Sequence, residues 1–357
     1  MTATLDCASL DAAGLSDWLR EDDPERLHQL WARADQLRRD HVGDAVHLRG
    51  LVEISNRCVR ACWYCGIRKD NHHIQRYRMT ATEVVEAAAL AKRLGYGTVV
   101  LQAGEDPGLS QPWVADVVQR IAGETGLAVT LSLGERKPRE LQAWRQAGAD
   151  RYLLRFETSD PALFAKIHPA LGHSDRDRFA ILAELHDLGY EVGSGFLIGI
   201  PGQSYASLAQ DLLRCRDLDL DMIGVGPWLT HPDTPLGQGL VAPLAADDQV
   251  PASEAMTLKC VALLRILCPD SNLPATTALA TLNGHQGREH ALQAGANVVM
   301  PNVTPLQYRA LYEIYPGKAC VSEHAEVCAE CLAGRIAKVG RTVGRGPGGR
   351  ARRPPPA

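Results

Sequence analysis

The sequence predicts an α/β protein: a (β/α)8 barrel of the TIM type, with a helical extension before it and a disordered basic tail after it. Short apolar runs alternate with amphipathic helical stretches from residue 47 onward, and this alternation is typical of a parallel sheet. The strand–helix unit recurs eight times, which is the number that closes a barrel. An open, doubly wound sheet is the alternative that the same alternation allows.

Two helical segments precede the barrel. The stretches SLDAAGLSDWLR and PERLHQLWARADQLRRDH carry apolar residues at helical spacing, so residues 1–45 are predicted to form an N-terminal helical extension. The barrel is predicted to occupy residues 46–335, including a C-terminal group of cysteines. Its eight strands are predicted at residues 47–55, 97–104, 127–134, 151–157, 192–200, 222–229, 273–279 and 297–303. Residues 336–357 are rich in Gly, Pro and Arg, which predicts a disordered tail.

The composition excludes several classes of protein. The 357 residues are 45% hydrophobic and 22% charged, with a formal net charge of −4, which is typical of a globular protein and gives no sign of nucleic-acid binding. No apolar run reaches the ~18 residues that a membrane span needs, and the first residues lack a basic segment followed by an apolar one. We therefore expect a soluble, cytoplasmic protein that binds neither nucleic acid nor membrane.

Three cysteines mark a candidate metal centre. Cys58, Cys62 and Cys65 follow the first predicted strand in the pattern C-x3-C-x2-C, and the carboxyl ends of barrel strands are where catalytic residues lie. Three thiolates are one ligand short of a closed zinc or iron–sulfur site. On a four-iron cluster they would leave one iron open for a substrate or cofactor. Zinc with His72 or His73 as the fourth ligand is the alternative.

The cysteine pattern, followed by Gly66 after the first barrel strand, resembles that of the radical S-adenosylmethionine (radical SAM) superfamily. The resemblance implies a 4Fe–4S cluster whose open iron binds S-adenosylmethionine, and reductive cleavage of that cofactor to a 5′-deoxyadenosyl radical. At the end of the second predicted strand, Ala103, Gly104 and Glu105 resemble the superfamily's glycine–glycine–glutamate motif, which holds the cofactor's amino group. Small residues allow a close backbone approach, and a carboxylate accepts hydrogen bonds from an ammonium group.

Longer stretches resemble one family of this superfamily, the HydE maturases of FeFe hydrogenase. They extend from about residue 52 to residue 331 and include CGIRKDN, RYRMT, VVLQAGEDP, VTLSLGE, AGADRYLLRFET, DMIGVGPWLTHPDTPL, GANVVMPNVTP and YEIYPGKACV. The resemblance implies an enzyme that takes part in assembling the hydrogenase cluster. Its implied partners are an anionic organometallic iron substrate, other hydrogenase maturation proteins, and an electron donor such as ferredoxin or flavodoxin.

The resemblance also implies residues that bind the cofactor. Glu157 matches the glutamate that binds the ribose, and Arg178 matches the arginine that pairs with the methionine carboxylate, with Arg176 as the competing position. A guanidinium suits that role because it binds a carboxylate through two parallel hydrogen bonds. Further cofactor contacts are predicted at Tyr64, Thr130 and Ser132.

A substrate cavity is predicted deeper in the barrel. The family resemblance places six residues on its wall: Arg155, Met222, Thr276, Thr277, Tyr312 and Tyr315. An arginine and paired threonines in an interior are costly unless they serve a polar or anionic ligand. One position departs from the family, since Phe156 stands where the family pattern has a histidine. Strand alternation turns Phe156 away from Arg155 and Glu157, so we expect its role to be packing or a mark of a different substrate.

A second cysteine triplet, Cys320, Cys328 and Cys331, resembles the accessory cluster site of some family members. It is predicted to hold a 2Fe–2S cluster, with zinc ligated in part by His324 as the alternative. Two other functions are consistent with parts of the sequence. One is a radical SAM mutase or sulfur-inserting enzyme of the methylornithine synthase or biotin synthase type, and the other is a non-enzymatic iron–sulfur scaffold.

Overall fold

The structure is a computed structural model that describes residues 10–172, 176–284 and 286–350. The strands are β1 (Ala45–Ser55), β2 (Thr98–Ala103), β3 (Ala128–Ser132), β4 (Ala149–Leu153), β5 (Glu191–Ser194), β6 (Leu197–Ile198), β7 (Met222–Ile223), β8 (Gly226–Pro227), β9 (Pro274–Ala275), β10 (Val298–Val299) and β11 (Thr342–Val343). The helices are α1 (Ala12–Arg20), α2 (Pro24–Val42), α3 (Ala81–Arg93), α4 (Gln111–Thr125), α5 (Pro138–Gln146), α6 (Pro161–Ile167), α7 (Arg178–Asp187), α8 (Tyr205–Asp217), α9 (Glu254–Leu267), α10 (Thr277–Leu282), α11 (Gly287–Gln293), α12 (Leu306–Arg309) and α13 (Ala325–Lys338). Among these described helices, none has the length and apolar character needed to cross a membrane.

Eight of the strands form a nearly closed parallel barrel. Their order is β7-β5-β4-β3-β2-β1-β10-β9, and every neighbouring pair is parallel. The two ends of this path meet at a parallel bridge between Met222 and Asn272. There the Ile223 N–H donates to the Asn272 carbonyl, and the Asn272 N–H donates to the Asp221 carbonyl, both at 2.9 Å. The predicted barrel is therefore confirmed, and the open sheet is wrong.

Two of the predicted strands are each divided in the structure. The runs 192–200 and 222–229 were predicted to be continuous, but β5 and β7 end after a few residues, and β6 and β8 pair in a separate two-stranded sheet. Gly195 and Gly224 lie at the two breaks, where the Gly224 N–H donates to the Ser194 carbonyl at 2.8 Å. The apolar pattern continues through both breaks because the residues beyond them are also buried, so hydrophobicity alone does not reveal the division.

The predicted helices of the N-terminal extension are α1 and α2, whereas residues 1–9 lie outside the described part of the chain. Leu15 and Leu19 of α1 and Leu30 of α2 are completely buried. These helices pack on α8 and α9 of the barrel, and Lys259 Nζ of α9 donates to the Leu19 carbonyl at 3.0 Å. The extension therefore shares the hydrophobic core of the barrel.

Strand β1 shows how the barrel separates an apolar layer from a polar interior. Side chains alternate along a strand, and Val52 and Ile54 are fully buried in the hydrophobic core cluster. On the opposite face, Arg49 reaches across the barrel to Met222 Sδ (2.8 Å), and Glu53 lines an internal cavity. The polar residues of β1 are therefore available to an internal ligand, while its apolar residues hold the helices.

The prediction of a disordered tail from residue 336 is wrong for residues 336–350. Helix α13 continues to Lys338, and β11 pairs with the first residues of β1. Residues 344–350 then cross the floor of the barrel, meaning its end at the amino termini of the strands. There Arg49 Nη2 donates to the Gly348 carbonyl (2.9 Å), and Thr98 Oγ1 donates to the Pro347 carbonyl (2.8 Å).

Backbone contacts explain why a segment of this composition is ordered. A Cβ added at Gly97 would lie 1.7 Å from the Gly346 carbonyl oxygen, so the tail packs directly on the backbone of the barrel. The tail contributes carbonyl groups to buried donors instead of apolar side chains to a core. Composition predicts disorder here because the segment lacks apolar side chains, but composition does not indicate hydrogen bonds from buried donors to backbone carbonyls. Residues 351–357 lie outside the described part of the chain.

We predict that deleting residues 344–357 destabilises the protein. The deletion removes the Gly348 carbonyl from Arg49, whose side chain is fully buried, and a buried donor without a partner costs about 1–3 kcal/mol. Thermal unfolding of the two truncated proteins is the measurement. Deletion of residues 351–357 alone is the control and should leave the melting temperature unchanged. Equal melting temperatures for the two deletions would contradict the proposed role of the floor contacts.

Candidate active site

The three cysteines of the first triplet line one cavity at the carboxyl ends of the barrel strands. This cavity has a volume of about 260 Å³ and lies between the loop that follows β1, the end of β2, and the segments after β4 and β5. The predicted cofactor residues that line it are Tyr64, Ala103, Gly104, Glu105, Ser132, Glu157 and Arg178. Thr130 is completely buried in β3 and is not among the lining residues. The fold therefore brings all but one of the predicted cofactor positions to the three thiols.

One arginine braces the cysteine loop. Arg76 donates to four carbonyl groups of the loop, with N···O distances of 2.6–3.1 Å. These carbonyls belong to Asn56, Ile67, Arg68 and Asn71. Because the contacts span the loop on both sides of the cysteines, Arg76 keeps the loop in place when no metal is bound. A guanidinium has enough donors for this role, but the sequence alone does not indicate it.

Burial raises the pKa of all three thiols, and it raises the pKa of Cys62 to about 12. Without a metal, the thiols therefore keep their protons at neutral pH. A bound metal reverses this preference, because coordination deprotonates a thiol. His72 and His73, the zinc ligands considered from the sequence, are exposed and do not line the cavity. The residues present thus fit a cluster held by three thiolates.

The end of β2 packs tightly against the cysteine loop. A Cβ at Gly104 would lie 2.4 Å from the Arg57 carbonyl oxygen and 2.8 Å from Cys58 Cβ, so only glycine fits there. The Glu105 N–H lies 3.4 Å from Cys58 Sγ and donates to it. The Glu105 carboxylate accepts from Arg60 Nε (2.9 Å) and from the Glu135 N–H (3.0 Å). The glutamate of the motif is therefore positioned before any ligand binds.

Glu135 joins the cationic side chains behind the cavity. Its carboxylate accepts hydrogen bonds from Arg60 Nη2 and from Arg178 Nε (3.0 Å), and it lies 3.4 Å from His168 Nε2. Burial opposes ionisation of Glu135, but the hydrogen bond of His168 and the charge of Arg178 outweigh it and lower its pKa to about 2. His168 also lies 3.1 Å from Cys62 Sγ. The sequence analysis missed this network, because no motif links residues so distant along the chain.

Arg178 and Glu157 occupy the wall of the cavity that faces the cysteines. Arg178 is the first residue of α7, and its Nη1 donates to the Arg155 carbonyl at 2.6 Å. The competing position, Arg176, pairs with Glu184 away from this cavity. Glu157 has a positive φ of 65°, which costs a non-glycine residue of order 1 kcal/mol and is common at functional sites. Its Oε2 atom is buried and lies 3.3 Å from Arg155 Nη2, but it accepts no hydrogen bond, so it retains capacity for a ligand.

A second cavity of about 190 Å³ lies deeper in the barrel. Of the six predicted substrate residues, it is lined by Arg155, Met222, Thr276, Thr277 and Tyr315, whereas Tyr312 lines the first cavity. Three of them, Arg155, Thr276 and Tyr315, line both cavities. The two cavities therefore share a wall, and a group bound in one can reach the other.

The deeper cavity carries an excess of positive charge. Arg288 and Lys318 also lie on its wall, together with the one acidic side chain there, Glu53; no motif in the sequence indicates these three residues. Lys318 Nζ donates to both oxygens of Glu53 at 2.7 and 2.9 Å. Arg155 Nη2 pairs with Glu157 Oε2 at 3.3 Å, but Arg155 Nε and Arg288 Nε are buried without hydrogen bonds. Because two guanidinium groups remain incompletely paired, the cavity favours an anionic ligand.

Phe156 takes no part in either cavity. It is completely buried, and its ring lies 5.5 Å from the ring of Phe179 and 5.9 Å from that of Phe196. Phe156 lies away from the cavity that Arg155 and Glu157 line, as predicted, but strand alternation is not the reason, because β4 ends at Leu153. The residue acts in packing between the barrel wall and α7.

The second cysteine triplet is only partly assembled. Ligand atoms of Cys320, Glu323 and Cys328 lie within 4.8 Å of one another. Cys331 is exposed on α13 and is not part of this group, nor is His324. Cys320 also lines the deeper cavity, where Arg288 Nη2 lies 3.6 Å from its Sγ. The sequence analysis missed Glu323, because a carboxylate between two cysteines is unremarkable on an exposed loop.

Comparison with known proteins identifies the family. Residues 52–215 match the Radical SAM superfamily. The chain is 48% identical over 323 residues to the [FeFe] hydrogenase maturase subunit HydE of Thermotoga maritima, covering 90% of this chain and 89% of that protein. It is 29% identical to a 3-methylornithine synthase of Methanosarcina acetivorans, covering 81% of this chain and 79% of that protein. The crystal structure of a methylornithine synthase superimposes with a TM-score of 0.79 at 26% identity, covering 95% of this chain and 96% of that one. The chain therefore belongs to the HydE family of radical SAM enzymes.

Proposed function

We propose that this protein is a maturase of FeFe hydrogenase. In this proposal it binds S-adenosylmethionine at a 4Fe–4S cluster and uses the adenosyl group on an anionic iron complex. When bound, the cluster supplies the electron that cleaves S-adenosylmethionine. The observation that carries the proposal is the shared wall between the cysteine-lined cavity and the cationic cavity beneath it, in a chain so similar to a HydE maturase.

The cysteines and the charged residues of the upper cavity have distinct roles in this proposal. Cys58, Cys62 and Cys65 would hold the cluster through three thiolates, which is one ligand fewer than its four irons. Glu157 would offer Oε2, which accepts no hydrogen bond and lies 3.3 Å from Arg155 Nη2, to the ribose hydroxyls. Arg178 presents a guanidinium to the methionine carboxylate, and Glu135 fixes the orientation of that guanidinium. Glu105 accepts from the amino group of the cofactor, in exchange for part of its present contact with Arg60.

The deeper cavity supports an anionic substrate over an amino-acid substrate. An amino acid carries an ammonium group, which requires an acceptor, and Glu53 is the one carboxylate among the described residues on this wall. Glu53 is occupied by Lys318 and Asn302. The unpaired groups of Arg155 and Arg288 are donors, which suit an anion such as an iron complex with carbon monoxide and cyanide. This contrast favours the maturase over an enzyme of the methylornithine synthase type.

The proposal also includes a second metal site at Cys320 and Cys328, and two kinds of protein partner. Cys320 and Cys328 with Glu323 offer three ligands to a 2Fe–2S cluster, and Cys331 lies three residues after Cys328 on α13 for the fourth position. Zinc would be held by the same atoms. Other maturation proteins would supply the substrate and receive the product, and a low-potential electron donor such as ferredoxin or flavodoxin would reduce the first cluster.

The first prediction separates the two cysteine groups. Replacing Cys62 by Ala should abolish both cleavage of S-adenosylmethionine and activation of an FeFe hydrogenase by a lysate that contains the other maturation proteins. The Cys328/Cys331 double Ala variant should still support activation, because these two residues line neither the upper nor the deeper cavity, whereas Cys320 lines the deeper one. Hydrogen evolution under anaerobic conditions is the measurement. If the wild-type chain cleaves the cofactor but activates no hydrogenase, the substrate assignment is wrong, and Phe156→His is the next variant to measure.

The second prediction concerns binding of the cofactor. Arg178→Ala and Glu157→Ala should keep the cluster but each lose one charge-assisted contact, which is worth about 1.5–3 kcal/mol, or roughly ten- to a hundredfold in affinity. Titration of the reduced cluster's electron paramagnetic resonance signal with S-adenosylmethionine measures this. Arg176→Ala is the matched control, because Arg176 pairs with Glu184 outside the cavity. An affinity that falls equally in the control would show that the loss is structural.

The third prediction concerns pH. The pKa of Glu135 is lowered to about 2 from an ordinary value of 4.5, so its ionised form stabilises the folded protein above the unfolded-state pKa. That stabilisation is lost as the pH falls from about 5 toward 2. We therefore expect Glu135→Gln to reduce the free energy of unfolding at pH 7 and to approach the wild type only near pH 2, where the folded-state carboxylate becomes protonated. Denaturant unfolding of the metal-free protein at both pH values measures this. A difference that is the same at both values would contradict the charge network.

A further inference from the structure

A buried carboxylate lies behind the segment that carries Glu157. Asp211, in the middle of α8, is completely buried, and it lines neither the upper cavity nor the deeper one. A carboxylate in such a place is costly unless hydrogen bonds replace its lost water. Burial raises the pKa of Asp211 to about 7, which is a measure of that cost. The contacts of Asp211 indicate what it stabilises in return.

Four donor groups surround this carboxylate. Its Oδ1 atom accepts from the Ser159 N–H at 2.5 Å and from Ser159 Oγ at 2.6 Å, and Thr158 Oγ1 lies 3.4 Å away. Its Oδ2 atom accepts from Gln203 Nε2 at 3.2 Å. Because every one of these contacts is made by a donor, the ionised form of Asp211 is the form that fits. The donors belong to two separate segments of the chain.

The first segment carries Glu157. Thr158 and Ser159 directly follow Glu157, whose φ of 65° is a strained conformation for a residue with a side chain. The Thr158 N–H donates to the Phe156 carbonyl at 2.8 Å, so the backbone turns tightly around Glu157. Such a conformation persists only where the surrounding structure holds it. By binding the two residues that follow, Asp211 opposes relaxation of the turn.

The second segment is β6 and the turn that follows it. The Glu157 N–H donates to the Gly195 carbonyl at 3.1 Å, and the Leu197 N–H donates to the Glu157 carbonyl at 3.0 Å. Gln203 holds the same strand, because its Nε2 atom donates to the Leu197 carbonyl at 3.0 Å and its Oε1 atom accepts from the Gly199 N–H at 2.7 Å. One carboxylate of α8 therefore ties the turn at Glu157 to the strand on which that turn is bonded.

We infer that Asp211 is a positioning residue for the cofactor, which acts through Glu157 by holding it in the backbone conformation that presents its carboxylate to the ribose. The inference rests on the proposed function, in which Glu157 binds the ribose hydroxyls. Without Asp211, the turn relaxes toward an unstrained backbone, and only a fraction of the molecules present Glu157 to the upper cavity. The apparent affinity for the cofactor then falls by that fraction.

The variant Asp211→Asn tests this role with little change in shape. The amide keeps one acceptor oxygen but places an NH2 group against a donor, either that of Gln203 or those of Ser159, so one side of the link is lost. Asp217→Asn is the matched control. Asp217 lies at the end of the same helix, is exposed, and pairs with the neighbouring Arg216.

Two probes separate the ribose from the rest of the cofactor. S-adenosylhomocysteine carries the ribose but lacks the sulfonium group, so it is not cleaved. Methionine has no ribose, and in the proposed function it contacts Glu105 and Arg178 but not Glu157. Titration of the electron paramagnetic resonance signal of the reduced, cluster-loaded protein measures both affinities without turnover. The pH is set well above 7, so that the Asp211 carboxylate is ionised.

We expect Asp211→Asn to weaken binding of S-adenosylhomocysteine about fivefold or more and to leave the affinity for methionine unchanged. The Asp217→Asn control should bind both probes like the wild type. Glu157→Ala should lose at least as much affinity for S-adenosylhomocysteine as Asp211→Asn. Adding Asp211→Asn to Glu157→Ala should cause no further loss, because residues that act as one unit are not additive.

Unchanged binding of S-adenosylhomocysteine by Asp211→Asn would overturn the inference. An equal loss for methionine would also overturn it, because that result would show general damage to the site. So would a further loss in the double variant, since Asp211 would then not act through Glu157. If Asp211→Asn does not fold or does not load the cluster, Ser159→Ala, which removes only the hydroxyl donor, is judged by the same contrast between the two probes.

Failure of the proposed function has a different signature. If Glu157→Ala binds S-adenosylhomocysteine like the wild type, the ribose assignment is wrong, and the role of Asp211 is overturned with it. If Glu157→Ala loses affinity but Asp211→Asn does not, only the inference about Asp211 is overturned. A chain that gives every expected binding result but activates no hydrogenase would count against the maturase and leave the role of Asp211 standing.

Discussion

The carboxylate of Glu135 is the interaction on which the active site depends. It lies behind the upper cavity and contacts Arg60, Arg178 and His168 together. Without it, Arg60, Arg178 and His168 would each lose a partner in one buried region, and burying incompletely paired charge is costly. With it, Arg60 is held against the glutamate of the β2 motif, and Arg178 is held toward the thiols. A single carboxylate therefore orients both ends of the predicted cofactor site.

The same principle of paired charge extends through the interior of the barrel. Glu53 and Lys318 neutralise each other in the deeper cavity, whereas Arg155 and Arg288 keep unpaired donors there. A barrel interior packed only with apolar side chains would be more stable but would offer nothing to a polar ligand. Here the interior is polar where a ligand is expected, and the apolar core lies between the strands and the helices. The stability of the fold and the affinity for a ligand thus come from different layers.

At the floor of the barrel, the glycine-rich composition of the tail predicts disorder, whereas the tail is ordered. Arg49 is buried in the interior, and burial lowers its pKa to about 9. It is satisfied in part by the carbonyl of Gly348, from the far end of the chain. The glycine-rich tail is ordered because it provides backbone acceptors to donors that the strands leave unpaired. Arg350 continues this contact by pairing with Asp219 at 2.7 Å.

The sequence by itself determined the barrel, the cysteine loop and the family, because strand–helix alternation and the C-x3-C-x2-C spacing are local patterns. It also located residues of both cavities, Arg178, Glu157 and Arg155 among them, because the motifs shared with the family identify positions along the chain. Only the tertiary structure decided that Glu135 organises the arginines, that Glu323 joins Cys320 and Cys328, and that the tail closes the floor. These contacts join residues distant in sequence, and their energy depends on burial and on the geometry of charged groups. Neither quantity exists until the chain has folded.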